Sequence, residues 1–163
     1  MRTLLLGMGN PILTDDSVGV RLARDLARDL EGVPGLEVVP ECSVGGLNLI
    51  EVLSGYDRVL IFDSVRTRGG RPGDWYRFTA GSLRETRNLR NVHDVNFATA
   101  LALGRRLGHP LPPDEEIHVF AVEVEDDATF GERLSPALEE AYPEILGEVR
   151  RDALALLGAG PPS

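Results

Sequence analysis

Four runs of apolar, β-favouring residues mark the chain: Thr3 to Leu6, Leu36 to Val39, Arg58 to Phe62 and Ile117 to Val122. The continuous ones suit strands covered on both faces. Asp74 to Thr79 shows more polar alternation and predicts a further strand. Between these runs apolar residues recur at helical spacing in Ser17 to Leu30, Leu47 to Leu53, Val95 to Leu107 and Pro136 to Leu157. Strands alternating with helices predict an α/β fold in three layers, with a largely parallel central sheet and helices on both faces. Pro34-Gly35, Gly69-Gly70 and Pro110 to Pro113 read as turns between elements. We expect a single domain over residues 1–157 and a frayed tail over 158–163.

Composition narrows the function classes. A chain of 163 residues that is 42% hydrophobic can bury a core of its own. Nothing in it approaches the roughly 18 consecutive apolar residues of a membrane span, and the N-terminus carries no basic leader with a cleavage site. The expectation is a cytoplasmic protein with no membrane partner. Cys42 is the single cysteine and cannot form an internal disulfide, which agrees with a reducing compartment. A net charge of -9 argues against nucleic acid as a partner, because phosphate binding relies on basic surface. All 17 basic residues are arginine. The absence of lysine removes a Walker phosphate loop, a Schiff base and a lysine general base.

In a doubly wound sheet, ligands bind at the carboxyl ends of the strands. By the strand limits above, Gly7, Glu41, Asp63 and Glu123 each follow a strand. Asp16 lies beyond the Gly7-Met8-Gly9-Asn10 turn, at the head of a helix on the same sheet edge, so Asp16 and Asp63 are expected to converge. For the Asp15-Asp16 pair the plain alternative is helix capping by Thr14 or Asp15, with acid favoured in the first turn. One cap suffices, which leaves the second acid for other work. For Asp63 the plain alternative is an Asx turn into Ser64.

Of the three histidines, His118 sits inside an apolar strand and reads as a packing residue, and His109 before Pro110 reads as loop surface. His93, followed by Asp94 at the head of a helix, is placed where an imidazole can face the sheet edge. Two carboxylates and an imidazole with open positions suit Zn, Ni, Mn or Fe. The spacing does not name the metal. Cys42 reads as packing, with a soft ligand or nucleophile as the other possibility.

The glycine turn also suggests a dinucleotide site, with Glu41 as the ribose-binding acid. Ile12 stands where the third glycine of that fingerprint belongs, and Pro11 has no N–H to donate. Asp15 and Asp16 would repel a pyrophosphate. No NAD or FAD binding is expected.

Gly7-Met8-Gly9-Asn10, Asp15-Asp16 and Gly19, with Asp63 after a strand and His93-Asp94, resemble the hydrogenase maturation protease family, nickel-dependent endopeptidases. Weaker echoes are Gly45-Gly46-Leu47 and Leu134-Ser135-Pro136, each opening a helix. The resemblance covers nearly the whole chain. It implies that Asp16, Asp63 and His93 contact a metal and carry catalysis. It also implies that the substrate is a NiFe hydrogenase large-subunit precursor, cut to remove a C-terminal extension once nickel is inserted. The nickel then arrives with the substrate and is not a resident cofactor. Either the metal polarises the scissile carbonyl, or Asp16 or Asp63 acts as general base in an aspartic-type reaction. The alternative within the same ligand set is a nickel-sensing checkpoint that binds its partner without cutting. A monomer is expected. Ala121 to Glu125 departs from the proline-containing turn that relatives often carry after the late strand, and Arg84, Arg87 and Arg90 offer charge to an acidic peptide or simply coat the surface.

Overall fold

The computed structural model describes residues 1–82, 89–90 and 97–158. Its strands are β1 (Thr3–Met8), β2 (Leu36–Cys42), β3 (Arg58–Thr67), β4 (Trp75–Thr79), β5 (Leu89–Arg90) and β6 (Ile117–Glu123). Its α-helices are α1 (Val18–Asp29), α2 (Gly46–Leu53), α3 (Phe97–Arg106) and α4 (Pro136–Leu156). The main sheet runs β2-β1-β3-β6-β4. Neighbours are parallel except β4, which lies antiparallel along β6 at the edge, and β5 pairs antiparallel with the far end of β3.

Side-chain alternation along the strands divides the core into two halves. Leu5, Leu60, Phe62, Phe120 and Val122 face α1 and α4, where Leu22, Leu26, Leu138, Tyr142 and Val149 complete one cluster. Leu4, Leu6, Val59, Ile61 and Val119 face α2 and α3, meeting Leu49, Ile50, Leu53, Phe97 and Leu101. Helices therefore cover both faces of the sheet, the three-layer arrangement that the continuous apolar runs predict. The α1 and α4 helices are joined by Tyr142, whose hydroxyl donates to Asp25 at 2.5 Å while the Arg21 guanidinium lies 4.0 Å over its ring.

The strands run further than the apolar pattern predicts. Gly7 lies inside β1, Glu41 inside β2 and Asp63 inside β3, and Glu123 is the last residue of β6 rather than the first beyond it. Pairing extends the strands past the hydrophobic runs: Met8 is in register with Cys42, and β3 follows β6 from Val59↔Ile117 to Val65↔Glu123. The short β5 was not legible as a strand, and the head of the helix expected from Val95 lies outside the described residues.

The strand order places a switch point at β1. The chain leaves β1 through α1 for β2 on one side and returns through α2 to β3 on the other, with α1 and α2 on opposite faces, which leaves a crevice at the carboxyl ends of β1 and β3. Glycine closes the approach of α1 to this edge. A Cβ on Gly19 would stand 2.3 Å from the Phe62 carbonyl oxygen and 2.6 Å from that of Met8. Gly9 takes φ +134°, and a Cβ there would meet the Asp16 carbonyl oxygen at 2.1 Å. These two positions bring the helix start, with Asp16, against the ends of β1 and β3.

Candidate active site at the β1/β3 crevice

Parallel pairing of β1 with β3 ends at Gly7↔Phe62. Asp63 is the next residue of β3, near Met8 at the end of β1, and is still held by β6 through Asp63↔Ala121. It is 2% exposed. By strand alternation it shares the α2/α3 side with Ile61, and it lines a small recess there with Met8, Leu49, Phe97 and Val119. Asp16 arrives from the other side, in a 3-10 turn (Thr14–Ser17) that leads into α1.

Ser64 joins the two acids. Its hydroxyl donates to Asp16 Oδ1 at 2.9 Å, and its backbone N–H donates to Asp63 Oδ1 at 2.8 Å. The other Asp16 oxygen accepts the Asn10 N–H at 2.9 Å. Hydrogen bonds of this kind fix the orientation of a carboxylate. Asp16 and Asp63 converge on Ser64, as expected from their places in the sequence, whereas for Ser64 the sequence suggests only an Asx turn. That turn contact is present as well. The Asn10 amide, which a phosphate at a glycine turn would use, is engaged by the protein's own carboxylate.

Asp15 has a different task from the one its position suggests. Neither the 3-10 turn nor α1 has a side-chain cap. Asp15 instead turns away from its own helix and is fully buried. Its Oδ1 accepts the Ser135 N–H at 2.6 Å, and its Oδ2 accepts the Ser135 hydroxyl at 2.9 Å and the N–H groups of Glu125 and Asp126 at 3.0 and 2.8 Å. The capping expectation for Thr14 or Asp15 is corrected accordingly: Thr14 Oγ1 donates to the Thr129 carbonyl. A buried carboxylate needs several donors, and the loop after β6 supplies more of them than the first turn of α1.

The remaining candidates separate from the crevice. Glu41 forms an exposed ion pair with Arg24 at 2.8 Å. Glu123 is 2% exposed and accepts hydrogen bonds from the Thr67 amide at 3.2 Å, the Thr67 hydroxyl and the Tyr76 hydroxyl at 3.1 Å, which binds the β3–β4 connection to the end of β6. Cys42 is buried in the α2/α3-side cluster. His93, Asp94, Arg84 and Arg87 lie outside the described residues, as does the Arg90 side chain. Among the described residues no three His, Cys, Asp or Glu side chains are grouped as a metal would require.

His118 is a packing residue, as its apolar strand implies. It is 6% exposed, and among the described residues neither ring nitrogen has a hydrogen-bond partner. Burial pushes its pKa below the ordinary 6.5, against the opposing pull of Glu116. Above that value both folded and unfolded chains hold a neutral ring. As pH falls below 6.5 the unfolded chain takes up a proton that the folded one resists, so stability declines down to the lowered folded value. His118→Leu is expected to flatten this acid-side loss, measured as the difference in Tm between pH 7.5 and about 5.5 for variant and parent.

The hydrogenase maturation protease family model, labelled HycI, matches residues 20–152. The chain belongs to the hydrogenase maturation protease family. Cleavage of hydrogenase large-subunit precursors is the general activity of these proteases. The hydrogenase 2 maturation protease of Escherichia coli strain K12 is 30% identical over 160 residues, covering 94% of each chain. Two solved structures share the fold at 24% identity. The hydrogenase maturating endopeptidase HybD from E. coli superposes with a TM-score of 0.73 over 95% of this chain and 93% of its own. HybD from Thermococcus kodakarensis does so with 0.72 over 94% and 99%. Of the buried acids among the described residues, Asp16 and Asp63 are the two that meet at the crevice of β1 and β3.

Proposed function

We propose that this protein removes the C-terminal extension from a NiFe hydrogenase large-subunit precursor after nickel insertion, with Asp16, Asp63 and His93 reading the nickel that the precursor carries. The observation that supports this best is the pair of buried carboxylates, Asp16 and Asp63, joined through Ser64 at the switch point of the sheet. Oxygen and imidazole donors suit a first-row divalent ion whose remaining ligands come from the partner. Asp63 lies on the α3 side of the sheet. His93 precedes α3 in sequence and is proposed as the third donor on the strength of the family resemblance.

With Asp16, Asp63 and His93 as donors from this chain, nickel near the scissile carbonyl would polarise it or lower the pKa of a water. The chain's own part is to hold both carboxylates in fixed orientation. In the alternative, aspartic-type route, Asp16 or Asp63 takes the proton from the attacking water. The Gly9 turn and the close approach of α1 at Gly19 set the distance between the two acids.

The experiment is incubation with nickel-loaded precursor followed by intact mass measurement. A precursor shortened by its C-terminal peptide is the expected result. A stable complex of unchanged mass would assign the protein to the checkpoint role instead.

A further inference from the structure

Ile12, Val44, Leu47 and Phe130 are all exposed, Phe130 at 77% and Ile12 at 52%. Each lies in a segment following the carboxyl end of a strand: Ile12 after β1, Val44 and Leu47 after β2, Phe130 after β6. Exposed apolar residues scattered singly need no explanation, but exposure concentrated along the edge that bears Asp16 and Asp63 does.

Two of them belong to one hydrogen-bonded ribbon. Leu13 and Phe130 form an antiparallel bridge, the Gly131 N–H donates to the Ile12 carbonyl at 2.9 Å, and the Thr14 N–H donates to the Thr129 carbonyl at 3.0 Å. Buried Asp15 anchors the start of the loop by accepting the amides of Glu125 and Asp126. An exposed aromatic on a base tied down in this way loses little freedom when a partner covers it. The ribbon is also continuous with the candidate site. The Ile12 N–H donates to Asn10 Oδ1 at 3.1 Å, and the Asn10 N–H donates to Asp16 Oδ2 at 2.9 Å. Its flank is acidic: Glu125, Asp126, Asp127 and Glu132 stand against Arg133, with Arg66 paired to Asp127 at 3.3 Å.

We propose that the Ile12–Phe130 ribbon is the docking surface for the large-subunit precursor. It takes an apolar stretch of that chain with an adjoining basic residue, next to the segment that enters the crevice. The proposal rests on the reading of the protein as the precursor's protease.

The test is steady-state cleavage of nickel-loaded precursor by Ile12→Ser and Phe130→Ser. Leu107→Ser is the control, since Leu107 is 62% exposed but follows α3. Loss of one apolar anchor covered by the partner is expected to raise KM roughly tenfold or more with kcat retained. Leu107→Ser should leave KM unchanged, and all three variants should melt with the parent. An unchanged KM in Phe130→Ser and Ile12→Ser, or an equal rise in Leu107→Ser, would overturn the proposal. Added salt should raise the wild-type KM, and a KM indifferent to salt would remove the basic residue from it. Should the wild-type protein fail to cut, the protease reading fails on its own account. Docking is then read from the Kd of each variant for the same precursor: a tenfold loss for the ribbon variants supports the surface, and equal affinities overturn it.

Discussion

Asp63→Asn is expected to stop processing of the precursor while leaving the protein folded. The substitution keeps the shape of a side chain that is 2% exposed and removes its charge, so the loss falls on chemistry more than on packing. If Asp63 serves as base or as a donor to the substrate's nickel, the rate should fall on the order of 10³-fold. Asp16→Asn should behave the same way, because Asp16 is tied to Asp63 through Ser64. His93→Ala completes the set. The readout is the fraction of precursor shortened, by intact mass, beside a thermal melt. Full cleavage by all three variants would remove these residues from the mechanism.

The second large effect concerns the neighbouring acid and has the opposite character. Asp15→Ala would strand the Ser135 amide and hydroxyl and the amides of Glu125 and Asp126, all of which donate to Asp15. Losing one partner of a buried network of this kind costs about 3 to 5 kcal/mol. For a domain of this size that corresponds to a fall in Tm on the order of 10 °C. Asp126→Ala, which removes a carboxylate accepting the amides of Ala128 and Thr129 near the surface, should cost much less. A differential melt of the two variants checks the assignment. Equal, small shifts would show that Asp15 does not hold the loop after β6.

These adjacent acids illustrate what could be read from the chain. The sequence leaves one of them free for work other than capping, since a single cap suffices at a helix start. Which scaffold role Asp15 plays was not legible. Its partners lie at 125, 126 and 135, and only the folded chain brings them to the 3-10 turn. The strands and helices were legible because each is covered on one or both faces and shows its apolar period. Their ends were not. Asp63, Ser64, Arg66 and Thr67 look like a turn by composition, yet β6 and β5 keep them paired. Ser64 was passed over for a related reason. Its hydroxyl acquires a role only where β3 outruns β1 and faces the start of α1.

Cleavage is expected to depend on nickel already seated in the substrate. The most direct measurement is the intact mass of precursor incubated side by side in its nickel-loaded and nickel-free forms. Loss of the C-terminal peptide from the loaded form alone is the expected result, and equal cleavage of both forms would contradict a dependence on seated nickel.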